Sequence, residues 1–335
     1  MRQFSFFVWS AVLLMHISMP AGMATVLPSG SPSYHNQLWR MTGRLVARDA
    51  RAFSYSIMFF RYTEPHGVVL CAASLSILDE SRRRFSSERR TERVGFGLAD
   101  AKTASIYVGT WRLSKSPVTG APSTFNLDAK LDGVALLLRS VSRKPHFVLR
   151  SATTEYDGYS SVASNGTLMI DGRRLEVVGK SWLDHEMSNI APSVTVPAAQ
   201  FRVQLDDGRE ILVEECARAE MCVARRRAYL IERDGTVVIL QRGSYEFGGH
   251  PGSTWYSPHT GTIYPDIWAL HVDDKTQFLS LEPVSVDQES LANGNGLSYW
   301  DGAVDIYDVT PGSQGLRLGS GYVLMTGYTP QARNR

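Results

Sequence analysis

The chain has 335 residues, of which 43% are hydrophobic and 20% charged, with 35 Lys and Arg against 33 Asp and Glu. That composition can fill the core of one large or two ordinary domains and argues against long disorder. A formal net charge of +2 gives no support for nucleic-acid or membrane-surface binding, so neither is expected as a partner.

The first element is a leader. Met1-Arg2-Gln3 is a short basic start, Phe4 to Ile17 is almost continuously apolar, and Pro20-Ala21-Gly22-Met23-Ala24 supplies a helix break and small residues suited to cleavage. Residues 1–24 therefore read as a secretory signal peptide, with an apolar run too short for a membrane span of roughly 20 residues. No Cys sits at the cleavage point to carry a lipid, and no later apolar run approaches spanning length. The mature protein, from about Thr25, is expected to be soluble and secreted or periplasmic. Losing the leader removes only Arg2 among the charged residues, leaving 34 basic against 33 acidic.

Short alternating or apolar runs follow, punctuated by Gly, Pro, Asp and Asn. In chain order they are Arg44 to Val46, Phe53 to Phe60, Val68 to Leu78, Ser105 to Leu113, Phe125 to Leu131, Val134 to Leu138 and Thr167 to Ile170. Cys71 lies inside one of them and reads as a buried free thiol. The clusters Arg82-Arg83-Arg84 and Arg89-Arg90 read as solvated loop or edge-strand faces, which discourage strand-to-strand aggregation. Leu131-Asp132-Gly133 and Ile170-Asp171-Gly172 carry the Asp-Gly signal of tight hairpins. Asn165-Gly166-Thr167 is a glycosylation sequon, meaningful only in a eukaryotic host.

Gly179-Lys180-Ser181-Trp182-Leu183-Asp184-His185-Glu186 comes next. In an extended strand Trp182, Asp184 and Glu186 share one face, while Leu183 and His185 share the other. A Trp and two carboxylates on one face suit a site; a strand end meeting water or backbone donors is the plainer reading, since carboxylates are rarely buried alone. Asn189, Pro192, Ser193 and Pro197 then break any regular element and set a boundary between residues 25–190 and 191–335.

The second half repeats the texture: Phe201 to Leu205, the turn Asp206-Asp207-Gly208, Glu210 to Glu215, Arg227 to Glu232, Val237 to Arg242, Trp268 to Val272 and Gln277 to Leu281. Cys216 and Cys222 bracket five residues between two strand-like runs, and a disulfide between them would staple a hairpin in an oxidising compartment. Arg225-Arg226-Arg227 reads as another solvated face. No window shows a sustained helical period with capping signals. The expected fold class is all-β, two antiparallel barrel-like domains in tandem.

Trp182-Leu183-Asp184-His185-Glu186 resembles the signature of the lipocalin-like family that contains carotenoid 1,2-hydratase, the AttH proteins and fungal pericyclases. Six further stretches match in family order. They are Trp39-Arg40-Met41-Thr42-Gly43, Leu205-Asp206-Asp207-Gly208, Trp255-Tyr256-Ser257-Pro258-His259-Thr260-Gly261 with Tyr264-Pro265-Asp266-Ile267-Trp268, Asp287-Gln288-Glu289, Tyr299-Trp300-Asp301-Gly302-Ala303-Val304, and Gly321-Tyr322 with Thr326-Gly327-Tyr328. The resemblance spans roughly residues 37 to 328. It implies two calycin-like barrels enclosing an apolar pocket, substrates such as terpenoids, polyenes or polyketides, and addition of water to a double bond or guided cycloaddition.

The chain also departs from the family. Its Glu-Trp-Trp-Tyr falls on Gln37-Leu38-Trp39-Arg40, and a His falls on Ser74. Its Gly-Trp-Asp-Trp-Phe has become Pro197-Ala198-Ala199-Gln200-Phe201, and the Glu of its last block falls on Leu324.

Hydrating an unactivated alkene needs an acid to protonate carbon, a stabilised cation and a placed water. A buried carboxylic acid with a raised pKa and aromatic faces supply the first two. Asp184 and Glu186 are the candidate acids, with His185 as proton partner and Trp182 as aromatic wall. Asp301 is a further candidate, although Asp301-Gly302 also favours a tight turn. Trp39, Trp255, Tyr264, Trp268, Tyr299, Trp300 and Tyr322 are candidates for lining a ligand as well as for packing.

The chain has no Gly-x-Ser-x-Gly elbow, no second His four residues after His185, no Cys/His cluster and no glycine-rich phosphate loop after a strand, so no metal and no cofactor is expected. Three readings remain: a lyase or isomerase on an apolar substrate, a silent lipophile carrier of the same fold, and an AttH-type exported hydrolase. The oligomeric state is left open.

Overall fold

The computed structural model describes residues 34–64, 66–102, 104–116, 122–150, 154–189, 197–216, 226–241, 244–272, 277–292 and 298–329. The leader, most of the expected boundary segment and Cys222 lie outside the described residues.

The first sheet is antiparallel and uses β1 (Asn36–Ala47), β2 (Ala52–Thr63), β3 (Val69–Asp79), β4 (Arg84–Arg93), β5 (Ala99–Lys102), β6 (Ser105–Val108), β7 (Trp111–Lys115), β8 (Thr124–Leu131), β9 (Val134–Ser142), β10 (Phe147–Arg150), β11 (Thr154–Ile170) and β12 (Arg173–Ser188). Their order is β4-β3-β2-β1-β12-β11-β9-β8-β7-β6-β5, with β10 added on β11. A lone bridge, Gly95 to Ala99, brings the ends of the order together, so the sheet nearly closes.

The second sheet, also antiparallel, uses β13 (Ala198–Leu205), β14 (Glu210–Cys216), β15 (Arg226–Ile231), β16 (Val237–Leu240), β17 (Tyr245–Gly249), β20 (Trp268–Val272), β21 (Gln277–Pro283), β22 (Glu289–Ser290), β23 (Tyr299–Asp308) and β24 (Arg317–Thr326); β18 (Thr254–Tyr256) and β19 (Ile263–Pro265) form a small hairpin apart from it. The order is β16-β15-β14-β13-β24-β23-β21-β20-β17, with β22 on β23. The all-β expectation of two tandem barrels of the lipocalin-like kind holds.

Period-2 alternation decides what each barrel encloses. Trp39, Met41, Phe53, Tyr55, Ile57, Phe59, Leu75, Leu127 and Leu183 fill the first lumen. Phe201, Val203, Val213, Leu230, Trp268, Leu281, Trp300 and Val323 fill the second. Both lumens are packed by side chains, as small barrels usually are. The enclosed apolar pocket implied by the resemblance is therefore replaced by packed cores.

Two local expectations change. The run Ser105 to Leu113 is split at Gly109, whose φ of 57° turns β6 back onto β7. Asp301-Gly302 is no turn: it lies inside β23, paired with Leu324 and Val323. The Asp171-Gly172 hairpin forms as expected, both residues holding positive φ, 52° and 70°.

Candidate functional site

At the start of β1 and the end of β12, outward residues such as Arg40, Trp182, Asp184 and Glu186 face the second barrel, while Val46 and Val178 farther along are exposed. Arg40 lies opposite Asp184 in the ladder, and Leu38 lies opposite Glu186. From the other barrel, β13 turns Gln200, Arg202 and Gln204 to the same space while Phe201 and Val203 point into its own core. Alternation thus places Trp182, Asp184 and Glu186 together on one face, as the sequence requires, and that face is the seam between the barrels.

Asp184 is fully buried. Its Oδ1 accepts from the Tyr156 hydroxyl and, at 2.6 Å, from Trp182 Nε1, while Oδ2 accepts from Arg202. Burial pushes its carboxyl up to about 7, against the downward pull of the Tyr156 hydrogen bond, the Arg40 charge and Trp182. Glu186 has weaker company: Gln200 Nε2 donates to it at 3.3 Å, and Arg202 Nη2 lies 3.7 Å away. Burial, with the neighbouring Asp184 and Glu214 charges, drives its carboxyl well above the usual range. Two carboxyls two residues apart thus differ in environment: Asp184 is tied down as an acceptor by three donors, and Glu186, with one long donor, has its protonated form favoured by burial.

Glu214 completes the group. Its Oε1 accepts from the same Gln200 amide at 3.0 Å, and burial raises its carboxyl too. Asp301, also at the seam, is ion-paired with Arg40, both side chains being buried. A cleft opens beside this cluster, lined in part by Thr42, Trp182, Arg202, Ala303 and Tyr322. It is shallow, with room for a water-sized group of only about 10 Å³.

The other candidates are dispersed. His185 faces the first lumen, stacked on Trp39 with ring centroids 4.2 Å apart, and bonds Gln37 Oε1 at 3.3 Å. Burial lowers its imidazole to about 3, so it is neutral and on the wrong face to exchange protons with Asp184 or Glu186. Trp268 and Trp300 pack against each other in the second core, and Trp255 stacks on Tyr264 there. The Tyr264 hydroxyl donates to Glu289 at 2.8 Å. Tyr299 is at the seam, but under the guanidinium of Arg89 and bonded to Ser74 Oγ at 2.7 Å. Tyr322 lines the cleft and donates to the Gly43 carbonyl at 3.3 Å. Cys71 is a buried free thiol and Cys216 is disulfide-bonded.

Sequence reasoning missed Tyr156, Arg202 and Glu214, and named Arg40 and Gln200 only within stretches compared with the family pattern, not as members of a site. A signal existed: Gln200, Arg202 and Gln204 alternate with Phe201, Val203 and Leu205, a pattern that reads as solvated on one face until a second barrel covers it.

A family model described as AttH-like matches residues 22–328. Among solved structures, a protein described as AttH from Nitrosomonas europaea superposes with a TM-score of 0.77 at 19% identity, covering 93% of this chain and 100% of that one. Kievitone hydratase from Nectria haematococca gives 0.68 at 15% identity, over 86% and 88% of the two chains. CghA with Sch210972 gives 0.53 at 12% identity, over 96% and 98%. No curated protein matches the sequence.

Proposed function

The chain belongs to the AttH-like family, and from that premise we propose that it is a lyase or isomerase using the seam between its barrels as an acid site. The observation that carries this reading is the unequal carboxyl pair. Burial and the neighbouring carboxylate charges favour the protonated form of Glu186, which is barely hydrogen-bonded, while Asp184 is fixed by Tyr156, Trp182 and Arg202 beside it. An acid of this kind protonates a double bond, and the indole of Trp182 on the cleft wall stabilises the positive charge that develops. One structural neighbour is named as a hydratase; at its identity it supports the fold alone, and the reaction class rests on the carboxyls. The expected substrate is a largely apolar small molecule, with export inferred from the leader and consistent with a disulfide at Cys216.

A second reading, a silent carrier, is favoured by one observation. Leu38, Ala198 and Leu324, all at positions where the family carries larger or polar side chains, join Met58, Phe60 and Tyr299 in one apolar cluster at the seam. Filling of this kind shrinks a site without removing the fold.

The two separate on what the protein carries. Native mass spectrometry of purified wild type and Glu186→Gln, with extraction of bound lipophile, is expected to show product in the wild type, 18 Da heavier or isomeric, and unconverted substrate in the variant. The same unmodified lipophile in both would establish the carrier and end the enzymatic reading.

A further inference from the structure

The near-neutral net charge hides an uneven distribution. Three hairpin turns lie at one end of the first barrel: residues 48–51 between β1 and β2, 80–83 between β3 and β4, and 171–172 between β11 and β12. With the strand residues beside them they carry seven arginines, Arg48, Arg51, the Arg82-Arg83-Arg84 run, Arg173 and Arg174, against four acids, Asp49, Asp79, Glu80 and Asp171. Taking these from the 34 basic and 33 acidic residues of the mature chain leaves 27 against 29. The positive charge of the molecule is therefore concentrated at this end.

The turns form one patch. Arg82 and Arg84 both pair with Asp171, Arg84 at 2.6 Å, which ties the β3–β4 turn to the β11–β12 turn across the barrel end. Arg51 holds Asp49 at 3.0 Å, and the charge of Arg173 reaches Asp49 as well. Asp79 is buried, and Glu80 turns away to Arg44 at 2.5 Å. The acids are thus spent. Arg48, Arg83, Arg173 and Arg174 are exposed, with no side-chain hydrogen bond or ion pair among the described residues.

Guarding a sheet edge accounts for the arginines of β4. It does not account for those of the other two turns, whose strands β1, β2, β11 and β12 are paired on both sides. Arg83 also holds φ 51°, a region that glycine enters freely and a bulky side chain only at a cost. An arginine there sets charge at the tip at the expense of an unstrained turn. Just behind the tips, Val46 and Val178 are paired across β1 and β12 and are 43% and 63% exposed. Guanidinium groups beside exposed apolar side chains match the headgroup boundary of a bilayer, whereas a wholly hydrophilic polyanion would leave the valines in water.

We propose that this end of the first barrel docks, peripherally and reversibly, on the anionic lipid headgroups of a membrane surface. A charge summed over the whole chain does not reveal such a face, because the excess here is cancelled elsewhere. The proposal is independent of the chemistry at the seam.

The test is cosedimentation of the full mature protein with vesicles of phosphatidylcholine, alone or mixed with phosphatidylglycerol. Binding to the anionic vesicles is expected to be at least tenfold tighter at low ionic strength and to be lost as salt screens the charges. Each arginine near an anionic surface contributes about fivefold, so Arg83→Ser, Arg173→Ser and Arg174→Ser together cost at least tenfold. Arg93→Ser, Arg143→Ser and Arg233→Ser, at exposed positions away from this end, change the net charge equally and leave binding unchanged. Arg83→Gly relieves the left-handed strain, so it melts no lower than wild type while binding about fivefold more weakly. Equal binding to both kinds of vesicle at low salt, or equal losses in the two triple variants, would overturn the docking face. Retention on heparin without vesicle binding would overturn it too, and would assign the patch to a soluble polyanion.

Discussion

At the residue scale the informative contrast is between Asp184 and Glu186, two positions apart on one strand and equally hidden from water. Their difference lies in their donors: three for Asp184, from Tyr156, Trp182 and Arg202, and a single long one for Glu186, from Gln200. Burial raises both, and raises Glu214 as well. The sign for stability follows. A carboxyl whose folded pKa exceeds its unfolded value costs nothing while both states are protonated. It then destabilises the fold as pH rises from the unfolded value through the folded one, a window of roughly pH 4 to about 7 for Asp184. Glu214→Gln keeps an oxygen for the Gln200 amide but abolishes the proton linkage. Its melting temperature is expected to exceed that of wild type at pH 8, with the gap narrowing toward pH 5. Thermal melts across that range check it, and parallel profiles would show that Glu214 is not held neutral.

At the element scale, β12 and β23 show how one strand serves two surfaces. Leu183 on β12 packs in the first lumen while Trp182, Asp184 and Glu186 meet the second barrel. On β23, Trp300 and Val304 pack inward while Tyr299, Asp301 and Asp305 reach the first barrel. Gly302, between them, looks like a turn residue yet is extended. A Cβ there would lie 2.5 Å from the Trp300 ring and 2.6 Å from Gln288 Nε2, and Gln288 itself bonds the backbone of Ala303 through both ends of its amide. The glycine is kept for close packing, not for turning. Gly302→Ala is therefore expected to cost about 1–3 kcal/mol by overpacking, read as a lower midpoint in urea at unchanged slope. A neutral result would mean that Gln288 yields freely.

At the scale of the whole molecule, the seam holds the barrels in register. Besides the Arg40–Asp301 and Arg202–Asp184 pairs, Lys144 from the first barrel reaches Glu210 at 2.7 Å and the carbonyls of Gly208 and Glu232 at 2.6 and 2.7 Å in the second. Three acceptors around one nearly buried ammonium make it a pin, and Lys144→Ala leaves Glu210 and two carbonyls short of a partner. A loss of about 3–5 kcal/mol is expected for a buried pair broken on one side. Calorimetry is expected to show the single unfolding transition split into two as the barrels uncouple. One unshifted transition would mean that the other contacts suffice.

Several positions that set this chain apart from the pattern it resembles lie at the seam. Leu38, Ala198 and Leu324 sit in the apolar cluster at the seam, Ser74 bonds Tyr299 there, Arg40 pairs with Asp301 across it, and Gln200 bridges Glu186 and Glu214 within it.

What the sequence determined by itself was local. Strands, their turns at Asp132-Gly133 and Asp171-Gly172, the all-β class and the shared face of Trp182, Asp184 and Glu186 all follow from a side-chain period of two and from residues that tolerate positive φ. What only the tertiary structure decided was which side of each strand met water. Alternation says that Asp184 and His185 face opposite ways, but not that the outer face would be sealed by a second barrel. That covering buries Asp184 and Glu186, brings Arg202 and Gln200 to them from β13, and turns an outward polar row into a charged interior. Pairing between residues of two barrels depends on how the barrels dock, and no period within either strand encodes it.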